Sequence, residues 1–93
     1  MMELFWTLEA IQDREDIYDF IEEDSPLAAL SVDELISEKT ALLKNYPNMG
    51  RAGKIHGTFE LIIHGSYMVV YEIVEMRVRI LNVVHTSRNW PML

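Results

Sequence analysis

No cysteine occurs in the 93 residues, which removes disulfides, thiolate metal sites and cysteine nucleophiles together. Basic side chains are also scarce. Eight lysines and arginines stand against fifteen acidic residues, leaving a net charge of -7. That balance repels polyanions and argues against unspecific nucleic-acid binding. No apolar run approaches the ~20 residues of a membrane-spanning helix. The start, MMELFWTLEAIQDRED, lacks the basic opening and unbroken apolar stretch of a secretory signal. The expected location is the cytoplasm, with no membrane association. Glycine and proline number only four and three, so each one punctuates the chain informatively.

What is present suits a folded protein. Hydrophobic residues make up 49% and charged residues 25%, a globular balance, and the length predicts one domain over residues 1–93. Charge is divided unevenly along the chain. Residues 1–46 carry twelve acidic and three basic side chains, a balance of -9. Residues 47–93 carry three acidic and five basic side chains, a balance of +2, together with all three histidines. Only the second half could meet a nucleic acid favourably.

Glu3–Trp6, with two aromatics in four residues, predicts a short first strand. Thr7 suits an N-cap, and the apolar residues Ala10, Ile11, Ile17, Tyr18 and Ile21 stripe a helix over Leu8–Glu23. The carboxylates between them, Asp13 and Asp16 included, read as a solvated face. Ser25-Pro26 caps and opens a second helix, which Pro47 stops at about Asn45 or Tyr46. A link of about two residues makes the pair an antiparallel hairpin.

A loop broken by Gly50, Gly53 and Gly57 follows, carrying Arg51, Lys54 and His56. Strands are then expected over Thr58–His64, Tyr67–Val74 and Arg77–His85, joined by the turns Gly65-Ser66 and Glu75-Met76. Such short turns make an antiparallel meander. Strict alternation in the last strand would put Arg77, Arg79, Leu81, Val83 and His85 on one face. The fold class is therefore α+β: a helix hairpin packed on a mostly antiparallel, four-stranded twisted sheet.

His85 ends a strand before the polar run Thr86-Ser87-Arg88-Asn89, a rim position for a titrating group. Its plainer reading is a histidine that hydrogen-bonds the terminal backbone. For Arg79 the plainer reading is a cross-strand ion pair with Glu60 or Glu72. For Arg51 and Lys54 it is solubility on an exposed turn. Tyr67 and Tyr71 read as core, and Trp90-Pro91 as an apolar plug on the sheet. His56, His64 and His85 lack the spacing of a metal site, so neither metal nor cofactor is expected. No serine has a triad in view.

The whole pattern resembles the RelE/ParE superfamily of bacterial type II toxin–antitoxin toxins. The resemblance rests on the Trp6-Thr7 helix start, Ile17-Tyr18 with Ile21, Pro47 with Gly50-Arg51, Gly57-Thr58, Glu60-Leu61, Tyr67 with Val70-Tyr71, and His85 followed by Trp90-Pro91. Relatives with this loop usually read Gly-Thr-Arg-Glu-Leu, and here Phe59 stands in the arginine's place.

The resemblance implies a growth-inhibiting toxin held by a cognate antitoxin, and it implies two candidate activities on one fold. RelE-like members cleave mRNA in the ribosome. On that reading His85 is general acid or base, and Arg51, Arg79 and Arg88 hold the phosphate, with Lys54, Arg77, Tyr67 and Tyr71 in support. ParE-like members poison DNA gyrase without chemistry of their own. A third possibility is an inactive member that only binds its antitoxin. Ribosome-dependent cleavage is the first expectation; the acidic charge and Phe59 weigh toward gyrase.

Overall fold

A computed structural model describes residues 1–87 and Trp90. The elements run β1 (Glu3–Trp6), α1 (Leu8–Glu22), α2 (Pro26–Leu42), β2 (Arg51–Ala52), β3 (Thr58–His64), β4 (Tyr67–Val74) and β5 (Arg77–His85). The sheet has five strands in the order β1-β5-β4-β3-β2. Its pairings are antiparallel except for β1, which lies parallel to β5. The fold class is the expected one, and the fifth strand is the two-residue Arg51–Ala52 within the glycine loop.

Local chemistry explains the helix ends. Thr7 Oγ1 accepts from the Ala10 amide at 3.1 Å, and Ser25 Oγ accepts from the Ala28 amide at 3.1 Å, each satisfying a first-turn donor. The second helix closes earlier than Pro47 alone requires. Over Leu43–Asn45 the amides turn back to carbonyls three residues earlier, as in Leu43 N to Thr40 O at 3.1 Å. This tightening ends α2 at Leu42 while keeping Leu43 wholly buried.

Arg14 ties the helix layer together. Its Nε donates to Asp33 at 2.7 Å, its Nη2 reaches Ser37 at 2.5 Å, and the guanidinium lies 5.1 Å from the Trp6 ring. The core beneath joins Ile36 and Leu43 to Leu61, Ile63, Val69, Tyr71, Val78, Ile80 and Val83.

That core list corrects the alternation expected of the last strand. Val78, Ile80 and Val83 all face the helices, which a strict period of two forbids. The cause is a β-bulge: Tyr71 pairs with Ile80 and Val70 with Asn82, so Leu81 has no partner on β4. The residues that stitch the bulge come from α1 and its cap. Thr7 Oγ1 donates to the Leu81 carbonyl at 3.0 Å, and the Asp13 carboxylate accepts from the Val83 amide at 3.0 Å and from Asn82 Nδ2 at 2.9 Å. Asp13 is thus not part of a solvated face.

Candidate functional site

Two bulges bring three side chains into one row across the sheet. The β3 register shifts between Ile62 and His64, so His64 pairs with Tyr67, and Tyr67 pairs with His85. The Tyr67 ring lies edge-on between the imidazoles, with centroids 5.5 Å from His64 and 5.3 Å from His85. Each imidazole is bound in the same way. His64 Nδ1 accepts from the Ser66 amide at 2.9 Å, and His85 Nδ1 accepts from the Ser87 amide at 3.1 Å. An amide cannot donate to a protonated nitrogen, so in this geometry each ring is neutral with its proton on Nε2. The Ser87 hydroxyl also lies 2.7 Å from His85 Nδ1.

His85 and Tyr67 form one end of a cleft of about 760 Å³ between β5 and α1. Asp13, Asp16, Ile17 and Phe20 give it an acidic and apolar wall, and Trp90 closes it from the C-terminal side. Trp90 Nε1 donates to Asn82 Oδ1 at 2.7 Å, which places its polar edge on the same bulge that Asp13 holds.

The other candidates stand elsewhere. Arg79 lies on the exposed side of β5, two residues from the end remote from His85, and its guanidinium binds Glu72 at 2.6 Å. His85 lies six positions further along the strand, roughly 20 Å at about 3.3 Å per residue. Because of the bulge the two also face opposite sides of the sheet, contrary to the alternation. Arg77 lies over the Phe5 ring at 5.3 Å, beside β1. Arg51 pairs with the buried Glu60 at 3.0 Å on the far edge. Lys54 and His56 are exposed in the loop. Arg88 lies outside the described residues.

Tyr71 is wholly buried in the core. Its hydroxyl donates to the Pro47 carbonyl at 2.7 Å and accepts from the Gly50 amide at 3.0 Å, pinning the loop to the sheet. Burial raises its pKa above the usual 10.0, with the Gly50 hydrogen bond partly opposing. A Cβ at Gly50 would stand 2.7 Å from that hydroxyl and 2.9 Å from the Glu60 carbonyl, so glycine is required there. Phe59, in the place of the expected arginine, stacks on Tyr71 with centroids 5.3 Å apart.

The structure therefore groups Tyr67 and His85 and, among the described residues, scatters the cations. Three partners of the site were not anticipated: His64, Asn82 and Asp13. The Asp13 signal was present, since Ala10, Asp13 and Ile17 are spaced by three and four residues and share one helix face.

Comparison with known proteins agrees on one kind of relative. The family described as "ParE toxin of type II toxin-antitoxin system, parDE" matches residues 4–90. "Putative toxin Y4kP" of Sinorhizobium fredii is 37% identical over 89 residues, spanning 95% of this chain and 92% of that protein. Toxin RelE2 of Caulobacter vibrioides is 30% identical, over 95% and 99% of the two chains. Among solved structures, the chromosomal ParDE system of P. aeruginosa matches with a TM-score of 0.79 and 25% identity, covering 91% of this chain and 96% of that one.

Proposed function

Because this chain belongs to the ParE toxin family of type II toxin–antitoxin systems, we propose that it arrests growth by binding a protein target and not by cutting mRNA. DNA gyrase is the target that the ParE-like resemblance implies. The toxin role itself comes with the family; the mode of action is inferred from the site.

The observation that carries the inference is the separation of His85 from Arg79. Cleavage from a 2′-hydroxyl needs a proton acceptor and phosphate-holding cations around one reacting centre. Here Arg79 is bound by Glu72 on the opposite face, and Arg51 by Glu60 on the far edge. The Nδ1 lone pair of His85 is also engaged by the Ser87 amide, and not aimed at a substrate hydroxyl. A surface inhibitor needs none of these groups to converge.

A cognate antitoxin is the second proposed partner, supported by the family and by the likeness to the P. aeruginosa ParDE system. The cleft beside α1 and the acidic helix hairpin suit a basic, amphipathic segment of it. Among the described residues no helix is long and apolar enough to cross a membrane. Gyrase and antitoxin would both be met in the cytoplasm.

Purified toxin added to gyrase with relaxed plasmid should abolish supercoiling, while a message on translating ribosomes should stay intact. Codon-specific breaks in that message, lost in His85→Ala, would replace this reading with ribosome-dependent cleavage.

A further inference from the structure

The row His64–Tyr67–His85 has a property that target binding does not use. We propose that the two histidines form a paired lock that holds two turns together only while both rings are neutral, and that acidification opens it. This inference stands independently of the gyrase reading.

Each ring accepts the amide of the residue two places on, closing the turn that follows its strand. His64 closes the Gly65-Ser66 hairpin through the Ser66 amide, and His85 closes the chain's exit from β5 through the Ser87 amide. The two turns are themselves joined. The Thr86 amide donates to the Ser66 carbonyl at 2.8 Å, and the Thr86 hydroxyl donates to the Gly65 carbonyl at 2.9 Å. Tyr67 fills the space between the rings, so the two locks share one aromatic spacer. The result is one hydrogen-bonded unit at the cleft's end of the sheet.

Protonation acts on this unit in one direction. A ring protonated on both nitrogens has no lone pair for an amide, and its own N–H would face the donor. Protonated His85 could keep only the Ser87 hydroxyl, turned to accept, and must release the Ser87 amide. Protonated His64 must likewise release the Ser66 amide.

The charged surroundings bear on the two rings differently. Asp13 and Asp16 of α1 line the same cleft as His85 and attract an imidazolium, offering it a direction to turn. Tyr67 of β4 presents only its ring to either histidine. Lys39 of α2 donates to the Ile62 carbonyl at 3.3 Å, bringing a positive charge to the end of β3 that carries His64. Opening at His85 therefore turns the ring into the cleft and alters its wall, whereas opening at His64 loosens the hairpin tip.

The test is nitrogen-15 NMR on the full chain from about pH 8 to about pH 5, the span in which histidine changes charge. At the upper end both imidazoles should show an unprotonated Nδ1 and a protonated Nε2. As the rings titrate, hydrogen exchange at the Ser66 and Ser87 amides should gain about fivefold over amides elsewhere, the effect of one net hydrogen bond. Asparagine can accept the same amide through its side-chain oxygen without titrating. His64→Asn and His85→Asn should therefore each flatten the pH response of their own turn. A proton on Nδ1 at pH ~8 in the unaltered protein would overturn the proposal without recourse to a variant. So would Ser66 and Ser87 protection that follows the rest of the sheet through the titration.

Discussion

At the scale of single residues, the Tyr71 hydroxyl is the group with the most local consequence. It holds the Pro47 carbonyl and the Gly50 amide at once, from a ring with no solvent exposure. Tyr71→Phe leaves the stack with Phe59 in place but orphans both backbone groups. The expected cost is about 1–3 kcal/mol, read from urea unfolding. The raised pKa adds a pH signature with a definite sign. Burial favours the neutral phenol, so the folded pKa lies above the unfolded value of 10.0. The stability this represents is fully present below the unfolded value and is lost as pH rises through the folded one. Native protein should therefore lose urea resistance above about pH 10 more steeply than Tyr71→Phe, in which the other tyrosines are unchanged. Equal alkaline slopes would mean that Tyr71 does not titrate against the fold. The same ring accounts for Phe59. An arginine there would strip an aromatic partner from Tyr71, so in this chain Phe59 contributes to the packing of that ring.

At the scale of elements, the strands were legible and the bulge was not. Gly65-Ser66 and Glu75-Met76 mark their turns by composition, and the three meander strands end where those turns predict. Glu75 even adopts the positive φ, 57°, that tight turns favour. The bulge at Leu81 has no such local marker, because its partners are Thr7 and Asp13, some seventy residues away. An aspartate on a helix is ordinarily read as solvated, and only its spacing from Ala10 and Ile17 hinted otherwise. That one missed contact moved His85 to the face opposite Arg79 and, among the described residues, parted the expected acid or base from Arg79. The bulge should depend on Asp13 measurably. Asp13→Ala removes a charged acceptor from the Val83 amide and from Asn82, at a cost of about 1.5–3 kcal/mol. Asp13→Asn keeps one carbonyl oxygen and should cost less. Hydrogen exchange at Val83 should quicken in both, and unchanged Val83 protection in Asp13→Ala would mean that the strand holds its bulge unaided.

At the scale of the whole molecule, the helix layer is incompletely covered by its own sheet. Ala10 is the one fully buried residue of α1, while Phe20 is 67% exposed and Leu27 78%. An acidic layer with uncovered apolar side chains suits a basic, amphipathic partner, and in the proposed module that partner is the antitoxin. Phe20 discriminates between support of the fold and support of the complex. Because most of its surface already meets solvent, Phe20→Ala should leave the unfolding free energy from urea titration within about 0.5 kcal/mol of native. At the cleft wall, however, an aromatic anchor buried by a partner typically carries a disproportionate share of affinity. Phe20→Ala should then weaken antitoxin binding at least about tenfold by calorimetry. The remaining affinity should fall with added salt, since screening acts on the attraction between a basic segment and the acidic wall of Asp13 and Asp16. Affinity indifferent to both the substitution and the salt would place the antitoxin away from this cleft, and Phe20 would then be an exposed residue without a partner in the complex.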